Sequence, residues 1–221
     1  MATFPTTPAV LGTKTAPVDA DTVLISDSAD SNRGKIITLG NLAPLGWRDI
    51  EGPVQVRTTG AGRPTWSQIG TTSFYAYDFA VNDSCWFTYH IPHDIADTTV
   101  HFHTHFLLDD TNTTNFVWEY TWAYAKGYDQ AAFDLAITPI AGASGVITAT
   151  LAGAGTAFTH QIAETIGVDI TGLTEPDGMI MMSIKRITNG GSDKANGVFM
   201  ITSDVHYLSD SGSTLNRNYP Y

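Results

Sequence analysis

The stretch that decides the fold is residues 90–124, HIPHDIADTTVHFHTHFLLDDTNTTNFVWEYTWAYA. With a period of two, Val100, Phe102, Thr104, Phe106 and Leu108 fall on one face of a strand. His101, His103 and His105 fall on the other. The apolar face suits a core, so the three imidazoles are expected to face solvent, a partner chain or a metal. Beyond a Thr/Asn-rich turn the alternation resumes, and Phe116, Trp118, Tyr120, Trp122 and Tyr124 share one face. Cross-strand aromatic pairs of this kind stabilise a sheet. Core packing is the favoured reading for them. The sharper alternative makes Trp118, Tyr120 and Trp122 ligand-stacking residues, because exposed rings stack on sugars.

The same rhythm predicts further strands over 54–58, 73–80, 84–91, 132–139, 145–151, 156–163, 166–171, 178–188 and 197–208. Turn signals such as VNDS, AGASG, EPDG and NGGSDKANG separate them. Only Gly127–Ala132 reads as weakly helical. Neither a βαβ rhythm nor a glycine-rich phosphate loop interrupts the pattern. The expectation is an all-β protein, an antiparallel β-sandwich or jelly roll, from 47 to 210. Ahead of it, residues 1–20 are rich in Thr, Pro and Ala and read as an extended arm. Thr22–Ser26 and Lys35–Leu39 then form a β-hairpin that would be marginal alone. Residues 211–221 read as a surface tail.

Composition narrows the function classes. The 221 residues are 43% hydrophobic and 15% charged, with 20 glycines, a β-rich balance. A net charge of −11 with no basic stripe argues against nucleic acid, whose phosphates need clustered Lys and Arg. No apolar run approaches the roughly 18 residues of a membrane span, and the N-terminus has no signal-peptide pattern. A soluble protein made in the cytoplasm is expected. The single cysteine, Cys85, rules out an intrachain disulfide and reads as a small buried hydrophobe. No GxSxG elbow is present, and Ser84-Cys85 lacks a paired base.

The histidines allow three readings. Alternate residues on a strand lie about 6.6 Å apart, so the outer two imidazoles are about 13 Å apart. With bonds of about 2.0–2.1 Å, one metal takes an adjacent pair, such as His101 and His103, but not all three. A mononuclear site then needs Asp204 and His206 from the segment SDVHY, or Glu119, His90 or His93. The HxH is similar to that of cupins, although the Gly-rich flank and the spacing to a following Glu are absent. In a trimer, two stacked histidine layers near the axis would instead give a six-imidazole site. The simplest reading makes them partly buried interface residues satisfied by neighbouring polar groups. Asp109 and Asp110 open a turn, which Asp does for conformational reasons without calcium.

Two stretches resemble virion proteins of tailed bacteriophages. Residues 19–42, DADTVLISDSADSNRGKIITLGNL, resemble the short N-terminal module of phage tail-fibre and minor structural proteins. The segments IPHDIADTTVHFHTHF, VWEYTWAYAKG, MMSIKRITNG and FMITSDVHY are similar to a phage structural domain with a PHD, HxHW and EY core and a closing DxHY strand. Here Phe106 follows a third histidine where that pattern has tryptophan. The resemblance implies a non-enzymatic virion component: a tail fibre, an adaptor or a capsid-associated appendage acting in assembly and host attachment. It implies a homotrimer whose arm and hairpin anchor it to other phage virion proteins, with Val23, Ile25, Ile36 and Leu39 as the anchoring residues and a host surface glycan as a further partner. His101, His103, His105, Asp204 and His206 then become interface or metal residues. The rivals are a cupin-like metalloenzyme with an enclosed pocket and a carbohydrate-binding module.

Overall fold

Period-two alternation becomes thirteen strands in the computed structural model, with no helix among the described residues. Those residues are 22–27, 33–38, 46–111, 114–135, 144–151, 155–173, 177–191, 193–194 and 197–209. The expected arm and tail lie outside them. Contacts along the chain divide it into two units, 1–44 and 45–221.

In the first unit, β1 (Thr22–Asp27) pairs antiparallel with β2 (Arg33–Thr38), the expected hairpin. Val23 stands opposite Ile37, and Leu24 opposite Ile36. The register therefore puts Val23 and Ile36 on opposite faces, both exposed, at 39% and 73%. The four anchoring candidates do not form one stripe: Val23 and Ile36 lie on opposite faces, and Leu39 lies outside the described residues.

The second unit contains β3 (Gly46–Glu51), β4 (Thr65–Gln68), β5 (Tyr75–Asp78), β6 (Ser84–His90), β7 (Ile95–Leu108) and β8 (Phe116–Ala125). It continues with β9 (Ser144–Leu151), β10 (Gln161–Glu164), β11 (Val168–Asp169), β12 (Met179–Ile187) and β13 (Val198–Ser209). A seven-stranded sheet runs β10-β7-β13-β5-β4, with β11 also along β7 and β3 also along β13. A four-stranded sheet runs β6-β12-β8-β9. Because β5, β6, β7 and β8 alternate between the sheets, as do β12 and β13, the order β5-β13-β7-β10 against β6-β12-β8-β9 is that of a jelly roll. The protein is an all-β antiparallel sandwich.

The two long strands of the opening stretch supply the facing centre of the core, ten of the twenty-seven described residues in its main buried cluster. Val100, Phe102, Phe106 and Leu108 are fully buried, and the β8 aromatic ladder faces them. Phe106 meets Trp118 at 5.7 Å and Phe102 meets Tyr120 at 5.9 Å between ring centroids. The Thr104 hydroxyl shares a 2.7 Å hydrogen bond with that of Tyr120. This burial overturns the stacking role considered for Trp118, Tyr120 and Trp122. Their rings are closed inside the sandwich, where no sugar reaches them. Cys85 is the expected small hydrophobe, its Sγ 3.5 Å from Met200 Sδ, and burial pushes its thiol pKa up.

Several local expectations differ from the structure; of 156–163, for instance, only Gln161 onward is strand. Segment 54–58 makes only an isolated bridge, Gln55 to Trp86. Of 132–139, residues 132–135 are not a strand and the remainder lies outside the described residues. Gly127–Ala132 turns instead of coiling, because Tyr128 and Asp129 take φ of 56° and 61°, the left-handed region that breaks a right-handed helix. Strands β3 and β4 carry no alternation. They are mostly exposed and form through backbone pairing at the sheet margin.

Candidate functional site

Strand β7 presents His101, His103, His105 and Leu107 on the sheet face opposite the core. Strand β13 aligns beside it, with His206 opposite His101, Asp204 opposite His103 and Thr202 opposite His105. A bulge makes this alignment. Between Met200 and Thr202 the register slips by one residue at Ile201. Val198 and Met200 point to the core before it; Ser203, Val205 and Tyr207 do so after it. The extra residue thereby turns Asp204 and His206 outward, beside the histidines.

The carboxylate of Asp204 joins two imidazoles. Its Oδ2 lies 2.6 Å from His105 Nε2, and its Oδ1 lies 3.2 Å from His103 Nδ1. The second contact is close enough for attraction but out of line for a hydrogen bond, and Oδ1 accepts none. His103 Nε2 also lacks a hydrogen-bond partner. Both residues are deep for such groups, His103 at 9% exposure and Asp204 at 4%. Burial is the largest influence on each and opposes its charge. It is overcome in both cases. His103 is held above the ordinary histidine range by its polar contact with Asp204 and the charges of Asp204 and Glu164. Asp204 is held well below the usual carboxylate range by the two imidazoles.

Strand β10 closes one side. Glu164 stands opposite His103, and its Oε1 lies 3.1 Å from His101 Nδ1 and 3.6 Å from His103 Nε2. His101 Nδ1 is also 3.1 Å from the Thr165 carbonyl, so this nitrogen carries the proton. His160 stacks on His105 at 5.1 Å, its Nε2 2.8 Å from His105 Nδ1. On the other side, Asp49 of β3 stands opposite His206, with Oδ1 3.7 Å from its Nε2. The Trp47 ring meets His101 and His206 edge-on at 5.5 and 5.0 Å. Trp47, His101, Glu164 and His206 line a depression of about 260 Å³.

All five predicted site residues thus gather on one face. Their donor atoms do not pool into one set. His103, His105 and Asp204 bring ligand-type atoms within 4.8 Å of one another, as do Asp49, His103 and His206. Neither set includes His101, although the pair His101 and His103 was the sequence-based choice for a metal. Glu119 lies in the other sheet opposite Lys185, and His90 and His93 sit by Asp177 at 3.3 and 3.6 Å. Asp109 and Asp110 hold the Lys194 ammonium at 2.7 and 2.8 Å. The cluster lies on the outside of the sandwich, whereas a cupin-like enzyme was expected to enclose it. Sequence reasoning missed Glu164, His160, Asp49 and Trp47, which stand on short or non-alternating segments.

The other end of the same face is apolar. Leu107 and Phe199 pack with Ile69 and Ala76 in a small second core. Beside it opens a groove of about 500 Å³ lined by Trp66, Phe74, Tyr75, Tyr77, Phe158 and Ile201. Trp66 and Tyr75 are both exposed and stack with centroids 6.3 Å apart and planes 18° from parallel. These are the solvent-facing rings that the β8 ladder does not provide.

No protein-family model matches the chain, and no curated protein matches it. Solved structures share its general form at low similarity. A xylan-binding module, CBM15, is 11% identical with a TM-score of 0.32, over 73% of this chain and 90% of that one. The TmCBM61 module in complex with β-1,4-galactotriose is 10% identical with a TM-score of 0.23, over 74% and 84%. A protein of the infectious bursal disease virus Gx strain is 13% identical with a TM-score of 0.29, over 72% of this chain and 39% of that chain. At these TM-scores none of the three likenesses bears on what this chain binds or builds.

Proposed function

We propose that this chain is a non-enzymatic structural component of a tailed-phage virion, a tail-fibre or adaptor piece or a capsid-associated appendage, and that its sandwich assembles as a homotrimer through the outer face of the seven-stranded sheet. The observation that carries the reading is the convergence of the motif residues. Asp94 of the PHD segment accepts hydrogen bonds from Tyr207 (3.0 Å) and Ser209 (2.7 Å) at the end of the DxHY strand, and Arg48 pairs with it at 2.9 Å. Asp204 of DxHY binds the histidines of the HxH strand. Segments more than 100 residues apart meet along one sheet. The face they build also leaves the large ring of Trp47 half exposed, on the Asp49 side of β3 and against His101 and His206. Tryptophan is among the residues most enriched at the energetic centres of interfaces. The hairpin ahead of the sandwich would dock to a neighbouring virion protein.

Size-exclusion chromatography with light scattering on the full chain tests the assembly. A trimer that Trp47→Ala dissociates supports it. A monomer at tens of micromolar refutes it.

Glycan attachment is a second reading and has its own support, the stacked and exposed Trp66–Tyr75 pair in an open groove. Aromatic faces of this kind stack on sugar rings. A host-surface glycan would then quench tryptophan fluorescence in the wild type and not in Trp66→Ala. Equal quenching in both would remove the groove from consideration.

A further inference from the structure

We infer that His103, His105 and Asp204 form a binding site for a divalent transition-metal cation of the zinc type, on the outer face of the sheet and independent of whether the chain assembles. Three observations carry this. The first is the donor set. Two imidazoles at alternate positions of β7 and a carboxylate directly across on β13 place their ligand atoms within 4.8 Å of one another. With bonds of about 2.0–2.2 Å, tetrahedral ligands stand roughly 3.3–3.5 Å apart. The observed Nδ1–Oδ1 and Nε2–Oδ2 separations of 3.2 and 2.6 Å require only small opening to admit an ion.

The second observation is the pair of orphaned atoms. His103 Nε2 and Asp204 Oδ1 are buried without hydrogen bonds. An unsatisfied buried polar group is costly, and a cation beside Oδ1 would satisfy it.

The third is the outer shell. Metal-bound histidines hand their other ring N–H to an acceptor, which fixes the tautomer. Without an ion His105 Nε2–H donates to Asp204 Oδ2 at 2.6 Å; loss of that proton frees the Nε2 lone pair for a metal while Nδ1–H donates to His160 Nε2, 2.8 Å away. His103 Nε2 faces Glu164 Oε1 at 3.6 Å, which leaves Nδ1 for the ion. His160 already stands within hydrogen-bond reach, and Glu164 has to close by about half an ångström.

Imidazole donors select zinc, nickel or copper over calcium and magnesium. The alternative set, Asp49, His103 and His206, rests on an exposed carboxylate whose Oδ1 lies 3.7 Å from His206 Nε2.

The test is calorimetric titration of Zn²⁺ into chelator-treated, untagged full-length protein, with Mg²⁺ as the control ion. The expected result is one zinc per chain, no heat from magnesium, and a Tm that rises with zinc concentration. His105→Ala should lower the affinity about 100-fold or more, since even outer-shell changes cost 10–100-fold. His206→Ala should leave it within a few-fold. His105 and His206 are both partly exposed, so neither change removes a core side chain, and circular dichroism checks that each variant folds. Wild-type binding weaker than millimolar overturns the inference. So does binding that survives His105→Ala, and loss on His206→Ala alone would move the ion to the other set.

Discussion

Deleting Ile201 tests whether the bulge at that residue sets which side chains of β13 reach the core. Without it the strand must keep a continuous alternation, and one of its two halves changes face. Flipping the C-terminal half would expose Val205 and Tyr207 and bury Asp204 and His206 as charges without partners. Each broken buried pair alone costs about 3–5 kcal/mol. Flipping the N-terminal half is cheaper. It turns out Val198 and Met200, now 0% and 4% exposed. At about 1.5–3 kcal/mol for each buried side chain, that loss is roughly 3–6 kcal/mol. Phe199 would also swing from its outer packing against Leu107 into a full core. Ile201 itself is 51% exposed, so Ile201→Ala should cost under about 1 kcal/mol. Urea unfolding followed by tryptophan fluorescence measures both variants. Deletion should shift stability by at least about 2 kcal/mol more than substitution does. Equal effects would refute the claim that the bulge phases the strand.

Other consequences are separable by the same methods. Trp118→Ala should cost about 3–5 kcal/mol by opening a core cavity, whereas Trp66→Ala should change stability by less than about 1 kcal/mol, both read from urea midpoints. Asp94 is held below the usual carboxylate range. Burial, its largest influence, raises its pKa, but hydrogen bonds from Ser209 and Tyr207 and the Arg48 charge outweigh it. Its contribution to stability is therefore present above the unfolded pKa of about 3.9 and is lost as pH falls through the lower folded value. Asp94→Asn should flatten the decline in urea midpoint between about pH 5 and pH 2 relative to wild type, and an unchanged slope would count against the ion pair and hydrogen bonds at Asp94. Trp47→Ala should dissociate the oligomer in light scattering while leaving the thermal unfolding of the separated chain within about 1 kcal/mol of wild type. His103→Ala does not isolate assembly in this way, since it also removes one of the two imidazoles that face the buried Asp204 carboxylate within the chain.

Much of the fold was legible because alternation is a local signal. Phe102, Phe106 and the β8 aromatics announce two long core strands, and their burial follows from spacing alone. The placement of Asp204 and His206 beside the HxH strand was legible only in part. Their shared face can be read from alternation, but the bulge at Ile201 that aims that face outward cannot. Strands β3 and β4 were invisible, since GWRDIE and TWSQ pair at the sheet margin through backbone groups and bury little. For the same reason Trp47 and Asp49 could not be assigned to the site. Glu164 and His160 join it through the crossover that lays β10 along β7, a long-range pairing with no sequence signature. The exposed and buried aromatics were also not distinguishable by residue type. Trp66 and Trp118 both sit in aromatic neighbourhoods, and only the layering of the two sheets closes one and opens the other.

Native mass spectrometry of the untagged full-length protein tests the central claim most directly, because it reads subunit number and bound ions together. A trimer is the predicted species, and Trp47→Ala should convert it to monomer. A wild-type chain that stays monomeric across micromolar concentrations would contradict assembly through the outer face of the sheet, whatever ion it carries.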